Sequence, residues 1–457
     1  MASRSQVDTG KLQRYVDSRR DEYEEKLAQL VEIPTVSMDP ERTADMRRGA
    51  KLAAQFIEHA GGRARVYDTP GHPIVVGDFD VGAPRTLTIY NHLDVQPAAL
   101  ADGWEHEPFR FRKIGDRYEG RGSTDDKGPA LTALLAARYS VDNGIPLNIR
   151  LLWELEEEIG SPHFEAFLVE QRSALRTHSV LVSDTIWIAR GKPAVSYGLR
   201  GLQGVILRLE TGTHDVHSGV TGGAARNPLT ELAGLVAECV DVRTGKVKIP
   251  GFYADVRPLK KTEIDNFLSS GFTVAGFKSA HGLRSLRTSD RRKLVADIWA
   301  QPTFEVHGFV GGYTGPGVKT AISPRAELKI SMRLVPDQKP AKALKQLRDF
   351  VRRKNPDVQV HHEAALAPYL GDFTGPYAEA ARDAMQFGFG RKPAFVREGG
   401  SIGAVVSMRK QLKAPIMFLG LSLPEHGYHA PNENFDWGQA SGGMKTFVGY
   451  FERVSAM

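Results

Sequence analysis

Residues 128–154 read GPALTALLAARYSVDNGIPLNIRLLWE, which predicts a helix over 128–141 running into an apolar strand over 147–154. A helix of that length feeding a buried-type strand is the repeating step of an α/β sheet. The step recurs on both sides. Upstream, β-rich runs occupy 65–67, 74–79 and 86–90, and downstream a helix over 163–171 leads into a strand over 179–183. Two helices precede these. One spans 11–32, with Leu12, Tyr15, Val16, Tyr23, Leu27, Leu30 and Val31 at helical spacing, and ends at Pro34. The other spans 44–60 and stops at Gly61-Gly62. Strands alternating with helices predict a mixed sheet covered by helices on both faces.

The pattern changes near residue 198. Strands at 204–210, 304–307, 326–334 and 358–361, with helices at 228–242 and 341–353, follow the order βαββαβ of a ferredoxin-like α+β domain. The stretch 245–300 interrupts that order as an insertion. From about 368 the α/β style returns, with a helix at 377–387, a strand at 415–419 and a last helix at 437–454. A chain of 457 residues exceeds one ordinary core. The expected division is an α/β domain made of 1–199 and 368–457, with 200–367 inserted into it.

Composition narrows the function classes. The chain is 41% hydrophobic and 25% charged, as ordinary globular proteins are. Its 60 Lys+Arg and 54 Asp+Glu are spread along the whole length, so a net charge of +6 points to no nucleic-acid partner. No window reaches the roughly 18 uninterrupted apolar residues of a membrane span. Residues 1–13 are polar and lack the apolar core of a signal peptide. A cytoplasmic protein with no membrane partner is expected. The single cysteine, Cys239, excludes an internal disulfide and a multi-cysteine metal site, and reads as a small buried side chain.

Five short stretches carry chemistry, each at a strand end or in the loop beyond it, where open α/β sheets bind ligands. They are Asn91-His92-Leu93-Asp94; the run 120–128 containing Asp125-Asp126; Glu154 to Glu158, with four carboxylates in five residues; Ser183-Asp184; and 425–433, containing His429. In a strand, His92 and Asp94 share a face, and a carboxylate beside an imidazole fixes its tautomer for metal binding. Singly, each stretch also has an ordinary reading: a hydrogen-bonded surface histidine, a helix-capping aspartate, a solvated acidic loop. Together they place His, Asp, Glu, Asp and His on the strand ends of one domain, a donor set suited to zinc or a similar ion.

With these stretches in family order, the chain resembles the carnosinase, aminoacylase and carboxypeptidase-G family of dinuclear zinc hydrolases, and within it the cytosolic dipeptidase (carnosinase-like) branch. The motifs that carry the resemblance are His92 to Val95, Gly120 to Pro129, Glu157 to Ser161, Ser183-Asp184 and His429 to Glu433. Further matches are Arg190 to Gly201, Asp215 to Gly219, Ser331 to Pro336 and Arg397 to Ile402. The resemblance implies a zinc-exopeptidase-like catalytic domain with an inserted ferredoxin-like domain acting as lid and dimerisation module. It implies two divalent ions, zinc with manganese or cobalt also compatible. One would be held by His92, Asp125 and Asp184, and the other by Asp125, Glu158 and His429. Asp94 would orient His92, and the peptide after the bridging Asp125 would be cis. Glu157 would act as general base on a water between the ions, hydrolysing the amide of a dipeptide or short peptide. His217 would reach the partner subunit's site in a homodimer and stabilise the oxyanion. Arg333 would hold the substrate carboxylate, with Thr320 and Ser401 also touching substrate. Three carboxylates and one hydroxide balance two divalent ions, which makes the set tolerable in a dry cleft.

The sequence departs from the usual family pattern at Asn91 and Leu155, where glycine is frequent, and at Ala430, where serine is common. No ligand is lost. An N-acyl-amino-acid deacylase would use the same site, and a silent peptide-binding protein is the non-enzymatic alternative. The stretch 312–320 nearly spells a phosphate-binding loop but has one residue too many before Lys319. His361-His362 reads as an edge-strand pair, and neither Ser123 nor Ser401 has a nucleophile-elbow context.

Overall fold

In the computed structural model, which describes residues 7–457, a six-stranded mixed sheet forms the centre of the larger domain. Residues 1–6 of the polar N-terminal stretch lie outside the described residues. Thr86–His92 runs parallel to both Asn148–Glu154 and Ser179–Val182, and Ile416–Phe418 extends the parallel part. Ile74–Phe79 and Arg63–Tyr67 close the other edge antiparallel. Side chains alternate between the two faces with the strand period of two. Leu87, Ile89, Leu151, Trp153 and Leu181 face the helices Lys127–Asp142 and Thr43–His59. Tyr90, Leu152, Val180, Val182 and Phe418 face the helices Phe164–Glu170 and Gly403–Leu412. The expected mixed sheet covered by helices is therefore present.

The smaller domain is a four-stranded antiparallel sheet in the order Gln359–Leu366, Gly201–Glu210, Arg325–Leu334, Thr303–Gly311. That order is ferredoxin-like. Its helices Pro228–Cys239 and Pro340–Lys354 cover one face, where Val205, Leu207, Leu209, Leu328 and Ile330 form a core separate from that of the larger sheet. Cys239 is buried there, and burial pushes its thiol up to about 12, which leaves it unreactive.

Two local expectations change. The helix expected over 11–32 is two helices, Thr9–Ser18 and Arg20–Val31, bent at Arg19. The bend lets the first pack on the C-terminal helix Trp437–Ser455 and the second on Lys127–Asp142. The second change is a three-stranded sheet of Tyr369–Leu370, Ala194–Leu199 and Ala394–Glu398 beside the main one. Its strands lie far apart in sequence, and no local periodicity announces them.

Candidate metal centre

Because Thr86–His92, Asn148–Glu154 and Ser179–Val182 run parallel in register, with His92 opposite Glu154, the residues that follow them emerge at one sheet edge. His92, the Glu157–Glu158 turn and Asp184 are gathered by that topology alone. Asp125 comes from the loop before Lys127–Asp142. There Gly122 has φ +86, and a Cβ on Gly128 would sit 2.2 Å from the Ser123 carbonyl, so both glycines are required by the path. The Asp125-Asp126 peptide is cis. His429 comes from the last loop, with φ +55, and is 53% exposed while the other donors are enclosed.

Two donor triads result, His92, Asp125, Asp184 and Asp125, Glu158, His429, each with ligand atoms within 4.8 Å of one another. Asp125 belongs to both. Its Oδ1 lies 2.9 Å from His92 Nε2 and its Oδ2 2.9 Å from His429 Nε2. Glu158 Oε2 is 3.2 Å from His429 Nε2, and Asp184 Oδ2 is 3.9 Å from His92 Nε2. Electrostatics bear the mark of a cation site. Burial, with Asp125 nearby, pushes Asp184 up to about 6. Burial, with Asp184, Glu158 and Asp94 nearby, holds Glu157 well above the carboxylate range. Burial pulls the His92 imidazole down, yet Asp125 and Asp94 outweigh it and hold the ring well above its ordinary value. Carboxylates crowded in this way are costly unless cations neutralise them. Two imidazoles and three carboxylates fit divalent ions of the zinc type.

The surrounding contacts divide the acidic run into separate jobs. Glu154 accepts from Tyr90 Oη at 2.5 Å and Ser161 Oγ at 2.9 Å. Glu156 accepts from the His72 amide at 2.8 Å and lies 3.0 Å from His163 Nδ1. Glu158 belongs to a triad, and Glu157 lies close enough to His92, Asp184 and Glu158 to feel their charges. Asp94 anchors both glutamates, accepting the Glu157 amide at 3.1 Å and the Glu158 amide at 3.0 Å. Its own carbonyl lies 3.0 Å from His92 Nδ1, with its carboxylate at 3.4 Å. Asn91, one of the departures, donates to Asp126 at 2.7 Å.

Three supporting residues were not assigned from sequence. Glu433 Oε1 accepts the Thr124 and Asp125 amides at 2.9 and 3.0 Å, while Oε2 takes the Gly122 amide and Arg121, each at 2.9 Å. Tyr428 donates to Asp184 at 2.6 Å, and Gln96 to Glu158 at 2.7 Å. A fully buried glutamate in a glycine-rich neighbourhood needs donors, but which donors is a question of tertiary contact.

The remaining expected residues form two pairs, neither hydrogen-bonded to the triads among the described residues. Arg333 Nη1 donates to Ser401 Oγ at 3.2 Å, and Ser401 in turn donates to the Arg200 carbonyl. His217 and Thr320 are exposed side chains of the smaller domain: His217 pairs with Ala321 in a short two-stranded ribbon, and both the Ser218 amide and Oγ donate to the carbonyl of Thr320, just before that strand, at 3.0 Å. His217 Nδ1 accepts from the Gly219 amide at 2.9 Å.

The sequence model of Peptidase family M20/M25/M40 matches residues 88–453. The Cys-Gly metallodipeptidase dug1 of Schizosaccharomyces pombe is 30% identical over 472 residues, covering 98% of each chain. The structure of human carnosine dipeptidase 1 matches with a TM-score of 0.87 at 26% identity, over 98% of this chain and 99% of that one. The M20 family metallo-carboxypeptidase Sso-CP2 of Sulfolobus solfataricus matches with a TM-score of 0.89 at 29% identity, over 96% and 100%. Paired metal-type triads at the carboxyl ends of the parallel strands, an inserted ferredoxin-like domain and a family match over most of the sequence agree: this chain belongs to Peptidase family M20/M25/M40 and is a metallopeptidase.

Proposed function

We propose that this protein hydrolyses the amide bond of dipeptides and short peptides at a centre of two divalent ions. The observation that carries the reading is Asp125, whose two oxygens face different imidazoles, so that one carboxylate serves both triads. His92 and Asp184 would complete one site, and Glu158 and His429 the other. The donors suit zinc and also accept manganese or cobalt. When bound, such ions supply Lewis-acid polarisation of the scissile carbonyl and neutralise charge.

The chain's own residues do the rest. Glu157 sits on the turn anchored by Asp94, near enough to His92, Asp184 and Glu158 to feel their charges. Its carboxylate takes a proton from the attacking water and returns it to the leaving amine nitrogen. Arg333 and Ser401 hold the substrate carboxylate. Burial holds the Arg333 guanidinium below its ordinary value, and the neutral Ser401 hydroxyl is its hydrogen-bond partner, so an incoming carboxylate gains from the pairing.

His217 completes the site of a partner subunit in a homodimer, and Thr320 touches substrate. His217 and Thr320 are themselves exposed, and Val220 and Val318, close to them in sequence, are exposed apolar side chains, which supports contact with a second copy. Residues 200–367 accordingly form the lid and dimerisation domain, and 1–199 with 368–457 the catalytic domain. The separate apolar core of the smaller sheet supports that division. No helix of the described residues is long and apolar enough to cross a membrane. A cytoplasmic location belongs to the same reading, supported by a lone, buried cysteine.

Dipeptides are favoured over N-acyl amino acids because the relatives are named Cys-Gly metallodipeptidase and carnosine dipeptidase. Glu157 argues against a silent peptide binder, which needs no base. The deciding experiment offers metal-loaded protein a dipeptide panel and N-acetyl amino acids, with calorimetric binding measured alongside turnover. Dipeptide turnover is expected. Turnover of N-acetyl amino acids alone, or binding without turnover, would replace this reading with one of the other two.

A further inference from the structure

The stretch 245–300 belongs by sequence to the smaller domain, but its helices pack elsewhere. Ile264 and Phe267 of Lys261–Ser269, together with Phe272, Leu294, Val295 and Trp299, join the core of the larger domain. Phe267 and Phe272 meet the Trp299 ring edge-on, with centroids 5.1 and 5.7 Å away. Both Lys261–Ser269 and Arg291–Ala300 lie against the strand Ala394–Glu398.

Several polar contacts of this segment reach the strand Ala394–Glu398, which leads to Ser401, and the turn after Arg325–Leu334, which carries Arg333. Glu263, 4% exposed, pairs with the guanidinium of Arg397, 2% exposed, and accepts from Tyr197 Oη at 2.9 Å. Asn266 donates to the Phe395 carbonyl one turn further along the same helix. At the other end, Arg257 grips Asp337, just beyond Arg325–Leu334, with bonds of 2.8 and 2.9 Å.

Arg397 is where the register of Ala394–Glu398 slips against Ala194–Leu199. Four residues later comes Ser401, whose hydroxyl bonds the Arg200 carbonyl and receives Arg333. The Arg200 amide donates to the Gly400 carbonyl at 3.0 Å, so the 398–401 turn is held from one side by Arg200. From the other side it is held through Arg397. A buried guanidinium keeps one position only while its carboxylate does.

We propose that Glu263 is a positioning residue for substrate binding: through Arg397 it sets the 398–401 turn so that Ser401 and Arg333 present one carboxylate-binding pair. The inference rests on the reading of Arg333 and Ser401 as the pair that takes the substrate carboxylate. The segment 245–300 is on this view a strut across the two domains.

The test compares metal-loaded wild type, E263Q and R333A on a dipeptide and on the same dipeptide with its carboxylate amidated. E263Q is expected to raise KM about tenfold for the free dipeptide, with kcat changed less than twofold and the amide unaffected. If E263Q lowers kcat equally for both substrates, Glu263 serves folding alone and the proposal is overturned. R333A separates the two levels. If R333A does not distinguish free acid from amide, the carboxylate reading itself fails; if R333A does and E263Q does not, only the role of Glu263 fails. Should E263Q not fold, Tyr197→Phe removes one hydrogen bond to Glu263 without stranding a charge. A threefold rise of KM confined to the free dipeptide then supports the proposal, and an unchanged ratio of the two KM values overturns it.

Discussion

The Glu433 carboxylate, four residues beyond His429, accepts the main-chain N–H of Asp125 at 3.0 Å. The loop that supplies one donor is thereby tied to the loop that supplies the shared one. Glu433→Gln keeps the size but leaves Arg121 buried without its counter-charge. Losing one partner of such a pair costs about 3–5 kcal/mol. Chemical denaturation of the variant is expected to show that loss, and metal titration a weakened affinity.

Glu157 separates chemistry from structure. Neither triad includes it, and its amide, not its side chain, is what Asp94 holds. Glu157→Gln is expected to lower kcat by about 10²–10⁴, the usual contribution of general base catalysis. Metal content by elemental analysis should stay near wild type. Loss of metal would make Glu157 structural.

Metal removal should loosen the catalytic domain as well as silence it. Chelation leaves Asp125, Asp184 and Glu158 crowded without the charge of two divalent ions, which the two imidazoles replace only in part. Ions that bind only the folded state at about 100 times their Kd add roughly 2.7 kcal/mol. Calorimetry should show a lower Tm in excess chelator, and zinc, manganese or cobalt should restore both Tm and activity.

A second subunit's contribution is testable by mixing two inactive variants. If His217 works across a homodimer, Glu157→Gln and His217→Ala subunits form hybrids with one complete site. In a two-fold dimer with random exchange, about a quarter of wild-type activity returns. No recovery after verified exchange would put His217 to work in its own subunit or in none.

Acid should reveal the support beneath the last loop. Burial works against the Asp436 carboxylate, but His426, the Gln439 amide and Arg190 together hold it at about 2, below its ordinary 3.8. A lowered carboxylate stabilises the fold above its unfolded value and loses that effect as pH falls through the folded one. The gap of nearly two units is worth about 2 kcal/mol. The stability difference between wild type and Asp436→Asn is expected to be constant near neutrality and to close between pH 4 and pH 2. A difference independent of pH across that window would remove the ionic role.

The main elements of both domains, and the strand-end position of His92, Asp184 and the acidic run, were legible in the sequence. Helix and strand periods are local, and a parallel α/β sheet brings its strand ends together whatever the details. The motif order pointed to five residues that the fold brings together in two groups. What only the tertiary structure decided depends on partners distant in the chain. Glu154 and Glu156 are told apart from Glu157 and Glu158 by Tyr90, Ser161, His72 and His163. Glu433 shows its use only beside the amides of 122–125. The stretch 245–300 reads as an insertion in the smaller domain, yet Phe267 and Trp299 bury themselves in the larger one. Periodicity says that a face is apolar; which surface covers it is settled by shape and charge complementarity between segments, and a linear pattern does not contain that.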